Sequence, residues 1–502
     1  MRFLPLFTLS LGLTSCTLSL AQAPTKLPLN TVIVSGGPSP DYNQYAIESN
    51  ARYVEKLTVG TTTKRVLFAD GRKTSKTIVT EQSGPDQQAQ TLFAWLFETT
   101  PPSSKTIYRP STLNQINGSA TKKVVLQNVA WLAGQAKNGQ KSLLYFTGHG
   151  SAGQKRRLSL AGLRWEEDYD NTTYALWGDD EVSVKELAVP LKNWPAKTPL
   201  VLVMVQCHSG GFANLMFEGG DPKKPLLNRD FAGFFAATGD RNSSGCTPEV
   251  NEADYQDFTT HFFSALSGIT RDGRRVAGAD YDRNGGVSML EAMAWTSLRD
   301  RSIDVPVCTS DTYLRTIFRQ SRDMSWSKMP YSTLLKAAAP WQKATLQGLS
   351  KELGLKGETR IAAAMKIQEQ AEMGMEDEDD SEASPSIDTD ATYELYYKLK
   401  RDLQRRFPGL KAKSGSARFE RAKVPAVKYI AAHQAEVAPL SKMLALYERS
   451  GDGASTREAM AIRFVRVTRT LVLEQQLRRQ GTAAQKAAFA RLRASESRNP
   501  LR

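Results

Sequence analysis

Short apolar runs alternate with amphipathic stretches over the first 240 residues of this 502-residue chain. The runs are VIVSG, RVLFADG, SLLYFTG, PLVLVMVQ and FAGFFAAT. Between them, apolar residues recur at helical spacing near 44–57, 87–98 and 120–135, and in SVKELAVPL after a polar insertion. Strands that are apolar throughout and separated by amphipathic helices predict an α/β fold whose mostly parallel sheet is covered on both faces. No internal repeat interrupts this alternation. After about residue 325 strand signals stop and helical spacing takes over. Ser455 and Glu458 form a capping-box pattern, followed by the stripe Met460, Phe464, Val467 and Leu471. We expect a 28–325 α/β domain, a helical extension at 326–374, an acidic linker at 375–390 and a basic helical C-terminal domain at 391–502.

Two of the apolar runs end in reactive side chains. SLLYFTG runs into His149-Gly150, and PLVLVMVQ runs into Cys207-His208-Ser209-Gly210-Gly211. Open α/β sheets bind ligands in the crevice beyond the carboxyl ends of their strands, so both residues sit where chemistry is expected. A thiol near its free pKa is only slightly ionised at neutral pH and needs an imidazole or another positive field. The chain has four histidines, and His149 alone closes a strand-like run. His208 adjoins Cys207 and on extended backbone points to the opposite face. We therefore expect Cys207 as nucleophile and His149 as general base, with the backbone N–H groups of Gly150 and Cys207 holding the oxyanion. Gly-x-Ser-x-Gly fails at Ser151 and at Ser209, which excludes the nucleophile elbow of serine hydrolases. The chain lacks Cys-x-x-Cys, His-Glu-x-x-His and a phosphate-binding Gly-x-x-x-x-Gly-Lys, so a zinc site, a thioredoxin-type centre and a P-loop have no basis.

The His-Gly pair and the Gln-Cys-His-Ser-Gly-Gly segment 58 residues later resemble the caspase-like cysteine peptidases, in histidine-then-cysteine order. Within that group TVIVSGGPSPDYNQYAIESN, YFTGHGS and FFAATGDRNSSGC are similar to legumain-type sequences, covering roughly residues 30 to 310. The resemblance implies a caspase-like three-layer αβα sandwich and an endopeptidase that works through a thioester acyl-enzyme, with no cofactor for catalysis. Resolution of the thioester by a peptide amine would make the same site a transpeptidase or ligase. The resemblance also implies that Asn43 orients His149, and that Ser243, Ser244 and Asp254 line the substrate pocket. Tyr45 stands where legumains carry an asparagine-binding arginine, and His208 replaces an acidic residue after the cysteine, so cleavage after asparagine is not implied.

DYDRNGGVSMLE, residues 280–291, matches an EF-hand loop. Asp280, Asp282, Asn284, Ser288 and Glu291 supply oxygens, Gly285 permits the turn, and the Gly286 carbonyl fills position 7. We expect a structural calcium ion on a lone loop, because no entering helix is evident. The alternative is an ordinary polar turn ahead of a helix.

Residues 3–21 are apolar behind Arg2, which reads as a secretory signal within residues 1–23. Leu13-Thr14-Ser15-Cys16 resembles a lipobox that would lipidate Cys16, and Ala21-Gln22-Ala23 resembles an ordinary signal-peptidase site followed by Pro24. The chain is then exported to a bacterial periplasm or cell surface, or secreted, with any membrane attachment through the lipid anchor. Export permits a disulfide between Cys246 and Cys308, closing about 60 residues and contributing roughly 3–4 kcal/mol; two unrelated buried thiols are the alternative.

The formal charge of +14 lies in the tail, where 24 Lys/Arg face 9 Asp/Glu from residue 391 onward. That tail reads as a solvated helical surface, as a contact for an anionic surface or the peptidase domain, or as a helical segment covering the active site as in legumains. Nucleic acid is not an expected partner, since no helix-turn-helix or aromatic platform is present. The rival to a peptidase is a non-catalytic, calcium-stabilised surface protein that uses the same scaffold for binding.

Overall fold

The computed structural model describes residues 29–82, 87–99, 105–136, 140–159, 162–245, 255, 257–319, 324–372 and 389–502. Its first half runs β1 (Leu29–Ser35), α1 (Tyr45–Leu57), β2 (Thr63–Phe68), β3 (Ile78–Gln82), α2 (Gln87–Phe97), β4 (Lys105–Arg109), α3 (Lys122–Gln135) and β5 (Lys141–Thr147). Then come β6 (Gly150–Ser159), β7 (Gly162–Leu176), β8 (Asp180–Ser183), α4 (Val184–Leu191), β9 (Leu200–Met204), β10 (Phe231–Phe235), α5 (Phe258–Ser267), α6 (Met289–Arg299) and β11 (Val307–Cys308).

Six of these strands form one sheet in the order β11-β10-β9-β5-β1-β2, parallel throughout except for the edge strand β11. Strand pleating sends alternate residues to opposite faces. Val32, Val34, Leu144, Phe146, Leu202 and Met204 pack with Val125, Val129 and Leu132 of α3 and with Leu187 and Leu191 of α4. The intervening Ile33, Leu143, Tyr145, Val201 and Val203 pack with Val54 of α1, Phe258 and Phe262 of α5, and Met289 of α6. Helices therefore cover both faces, as the uninterrupted apolar runs require. The polar insertion is not a loop: β6, β7 and β8 form a separate antiparallel sheet that begins at Gly150. A further pair, β3 and β4, is antiparallel.

The remainder is helical: α7 (Thr309–Ile317), α8 (Tyr331–Ala337), α9 (Pro340–Glu352), α10 (Arg360–Glu372), α11 (Thr389–Arg406), α12 (Ala417–Ala432), α13 (Gln434–Gln480) and α14 (Ala483–Glu496). The Met460, Phe464 and Leu471 stripe is buried against α8, α9 and α10, with Val467 partly buried beside it. The helix start expected at Ser455 is not there, because α13 runs unbroken through that position and Glu458 instead bonds Arg241. Nor is the tail a detached domain. Leu403, Phe419 and Ile430 of α11 and α12 enclose Leu92, Phe93 and Leu96 of α2. Ala488 and Leu492 of α14 enter the core on the α3 face, and Leu501 enters the core on the α1 face. No described helix is long and apolar enough to cross a membrane. The signal segment, Cys16 and most of the acidic linker lie outside the described residues.

Candidate active site

β5 and β9 are paired in register, with Phe146 opposite Met204 and the Val205 N–H donating to the Phe146 carbonyl at 3.1 Å. His149 and Cys207 each stand three residues beyond that pair. Two side chains 58 residues apart thus leave equivalent points on neighbouring parallel strands, which run about 4.8 Å apart. The loops meet at Gly150. A Cβ there would lie 2.5 Å from both the Cys207 carbonyl oxygen and Gln206 Cγ, and 2.8 Å from the Thr173 oxygen. Only glycine lets the backbone bearing the imidazole approach the backbone bearing the thiol this closely.

His149 is anchored from the loop between β1 and α1. Its Nε2 lies 2.8 Å from the Tyr42 carbonyl and 2.8 Å from Gln44 Oε1, and the Tyr42 ring meets the imidazole edge-on at 6.0 Å. A carbonyl can only accept, so Nε2 carries the proton and the lone pair is on Nδ1. Asn43, expected to orient the imidazole, does not bond it. Its Oδ1 accepts from the Gly37 N–H at 3.3 Å and its Nδ2 donates to the Thr77 carbonyl at 3.1 Å. Asn43 closes the 3-10 turn of residues 40–42 with its side chain buried, while the Tyr42 carbonyl and the Gln44 side chain on either side of it hold the ring. Burial lowers the His149 pKa, opposed by the Tyr42 carbonyl.

Cys207 faces a strap formed by residues 241–244. Its sulfur accepts the Ser243 N–H at 3.3 Å and its S–H faces the Ser243 carbonyl at 3.6 Å. The Ser243 hydroxyl donates to the Val205 carbonyl at 2.9 Å, and the Ser244 N–H donates to Asp304 Oδ1 at 2.6 Å. Burial raises the thiol pKa, the Ser243 N–H lowers it in part, and Asp304 adds to the rise. Both shifts favour the uncharged form of the group concerned. Iodoacetamide labelling of Cys207, followed by mass spectrometry, is expected to climb with pH through a midpoint above the ordinary thiol value of about 8.5. A midpoint below neutrality would instead reveal a thiolate–imidazolium pair.

His208 is excluded as the base by its own contacts. Its backbone is left-handed at φ 57°, its Nδ1 donates to the Gly239 carbonyl at 2.8 Å, and its ring stacks on Tyr169 at 6.2 Å. Tyr45 lies under the guanidinium groups of Arg52 and Arg109, which reach the buried carboxylate of Glu48, so its ring is engaged in a charged cluster on α1. Asp254 lies outside the described residues. The site also contains groups that the residue pattern did not single out: the Tyr42 carbonyl, Gln44, Asp304 and Gln206. Gln206 is fully buried beside Gly150 with neither amide atom bonded among the described residues. A polar residue closing a buried strand was the one available signal for it.

In the 280–291 loop, oxygens of Asp280, Asp282 and Glu291 lie within 4.8 Å of one another. The Asp280 carboxylate accepts from the Asn284 and Gly285 N–H groups at 3.1 and 2.9 Å. Asn284 Oδ1 accepts the Gly286 N–H at 3.0 Å, and Gly285 takes φ 90°. Glu291 closes the loop on the Tyr281 N–H and forms a true capping box with Ser288 at the start of α6. Asp280, Asp282 and Glu291 are thus gathered at one point, with α5 ending at Ser267, well upstream. The expected Cys246–Cys308 bridge involves a residue outside the described ones. Cys308 is a free thiol buried between sheet and helices, 3.4 Å from the Ser310 hydroxyl, and Cys246 lies outside the described residues. No protein-family model matches the chain, and no curated protein sequence does.

Proposed function

We propose that this chain is a cysteine endopeptidase of caspase-like fold, nearest in kind to the legumain-type enzymes, exported and lipid-anchored through Cys16 or secreted. The observation that carries this reading is the placement of His149 and Cys207 at equivalent ends of paired strands, with the Tyr42 carbonyl leaving the imidazole lone pair on Nδ1. Nδ1 takes the thiol proton as Sγ bonds to the substrate carbonyl carbon, and the Gly150 and Cys207 N–H groups receive the oxyanion. The imidazolium returns its proton to the departing amine as the C–N bond breaks, leaving a thioester. Water, deprotonated by Nδ1, releases the acid; a peptide amine in its place gives ligation.

A mixed peptide library incubated with the protein and read by mass spectrometry is expected to show new termini at a shared residue preference. An unchanged library would leave the binding-scaffold reading, which the thiol's hydrogen bonds to the Ser243 backbone favour.

The 280–291 loop is proposed to hold a structural calcium ion away from the reacting carbonyl. Calcium at a hundredfold excess over its Kd then stabilises the fold by about 2.7 kcal/mol. The shift is read as a higher Tm that disappears with chelator or in Asp280→Asn; an unchanged Tm would make the loop an ordinary helix cap.

A further inference from the structure

The strap over Cys207 is tied to α13, in the C-terminal helical region. Arg463 of α13 is 2% exposed and spends its guanidinium on four carbonyls of the last turn of α6 and the segment that leads from it to β11. Nε donates to Asp304 at 2.7 Å, Nη1 to Asp300 at 2.6 Å and Ser297 at 3.3 Å, and Nη2 to Ser302 at 2.9 Å. A buried guanidinium is tolerated only when its donors are satisfied in this way, and a lysine cannot span four acceptors with one compact head group. The segment so fixed presents Asp304, whose carboxyl accepts the Ser244 N–H at 2.6 Å and the Phe258 N–H at 3.4 Å. One residue earlier, the Ser243 N–H reaches the Cys207 sulfur.

A second tie runs from the same helix. Glu458 of α13 pairs with Arg241 at 3.1 Å, and the Arg241 carbonyl accepts the His208 N–H at 2.8 Å. Two independent links from α13 thus converge on residues 241–244, one through a buried network and one through a half-buried ion pair.

We infer that α13 is part of the active-site scaffold, with Arg463, Asp304 and the Arg241–Glu458 pair as positioning residues that press the 241–244 strap against Cys207. The inference rests on Cys207 being the nucleophile, and it assigns the C-terminal helix to assembling the site, where resemblance to legumains suggests a segment that covers it. The strap's N–H stabilises the thiolate, so loosening it moves the thiol further from ionisation.

The test uses the full chain and reads Cys207 directly, by iodoacetamide labelling across pH. Arg241→Glu and Glu458→Arg are each expected to slow labelling at neutral pH roughly 3- to 30-fold and to raise its midpoint, with the double exchange restoring both. Asp304→Asn removes the charge that raises the thiol and keeps an oxygen for the Ser244 N–H, so its midpoint falls below wild type; Asp304→Leu removes the same charge but also the strap's anchor, and its midpoint is expected above that of Asp304→Asn. Wild-type rate and midpoint in folded Arg241→Glu and Glu458→Arg overturn the inference. If Asp304→Leu does not fold, the exchange pair decides alone, because its partners are half-buried. A chain that cuts no peptide yet shows this pattern overturns the peptidase reading and upholds the linkage; a chain that cuts peptides with labelling indifferent to α13 does the reverse.

Discussion

Replacing Cys207 with alanine is expected to abolish peptide cleavage and labelling by thiol-directed acyl probes while the fold survives. The side chain contributes little to stability: it is half-buried, and its hydrogen bonds are the weak ones of sulfur to the Ser243 backbone. Its contribution to reaction would be the whole covalent pathway, and removing a nucleophile from a unit of this kind costs about 10⁴-fold or more in kcat. His149→Ala should fall nearly as far, since His149 alone of the four histidines closes a strand beside that of Cys207 and His208 is engaged by the Gly239 carbonyl. Gln44→Ala should cost far less, about tenfold, because the Tyr42 carbonyl still fixes the tautomer. The comparison is made with one cleaved library peptide and matched circular dichroism spectra. An alanine variant that cuts at the wild-type rate ends the assignment.

The parts of this site that could be read from residues alone are those where a side chain type and its position along a strand carry the meaning. VLVMVQ and LLYF are apolar without interruption, and only a strand buried on both faces asks for that, so the points where they end could be placed. From there parallel pairing sets the strand ends that carry His149 and Cys207 side by side. What holds the imidazole was not readable, because its main partner is the Tyr42 backbone carbonyl, which any residue could supply. Asn43 lies between the two groups that do hold the ring, because the 3-10 turn at residues 40–42, which sets the direction of each side chain there, is not marked in PSPDYNQ. The β6–β7 hairpin read only as a polar insertion because the residues around Gly153 are small, polar or basic, and its aromatic Trp165 and Tyr169 are exposed. Arg463 looked like one more surface charge among the 24 basic residues of the tail. Its burial depends on carbonyls from 160 residues upstream, which no local pattern records. The same distance hid the role of α14, where Ala488 and Leu492 have ordinary helical spacing but belong to the central core.

That integration sets the sign of the second large effect. A chain ending at residue 433 is expected to lose both cleavage and its cooperative fold, where an inhibitory tail would give a gain. Its missing part includes Glu496, fully buried at the start of α7, where it accepts the Thr309 hydroxyl and the Ser310 N–H, each at 2.7 Å. Deleting it leaves those donors and the Cys308 edge of the sheet open to water. Leu492, Leu501, Phe464 and Leu471 go with it, and each large apolar side chain returned to solvent costs about 1.5–3 kcal/mol. Four such losses rival the roughly 5–15 kcal/mol that separates a folded domain from its unfolded chain, before the four carbonyls that Arg463 leaves behind are counted. The measurement is a thermal melt alongside the peptide assay. A soluble, cooperatively melting truncated chain that cuts faster than the full one would reverse the sign and make the tail a cover.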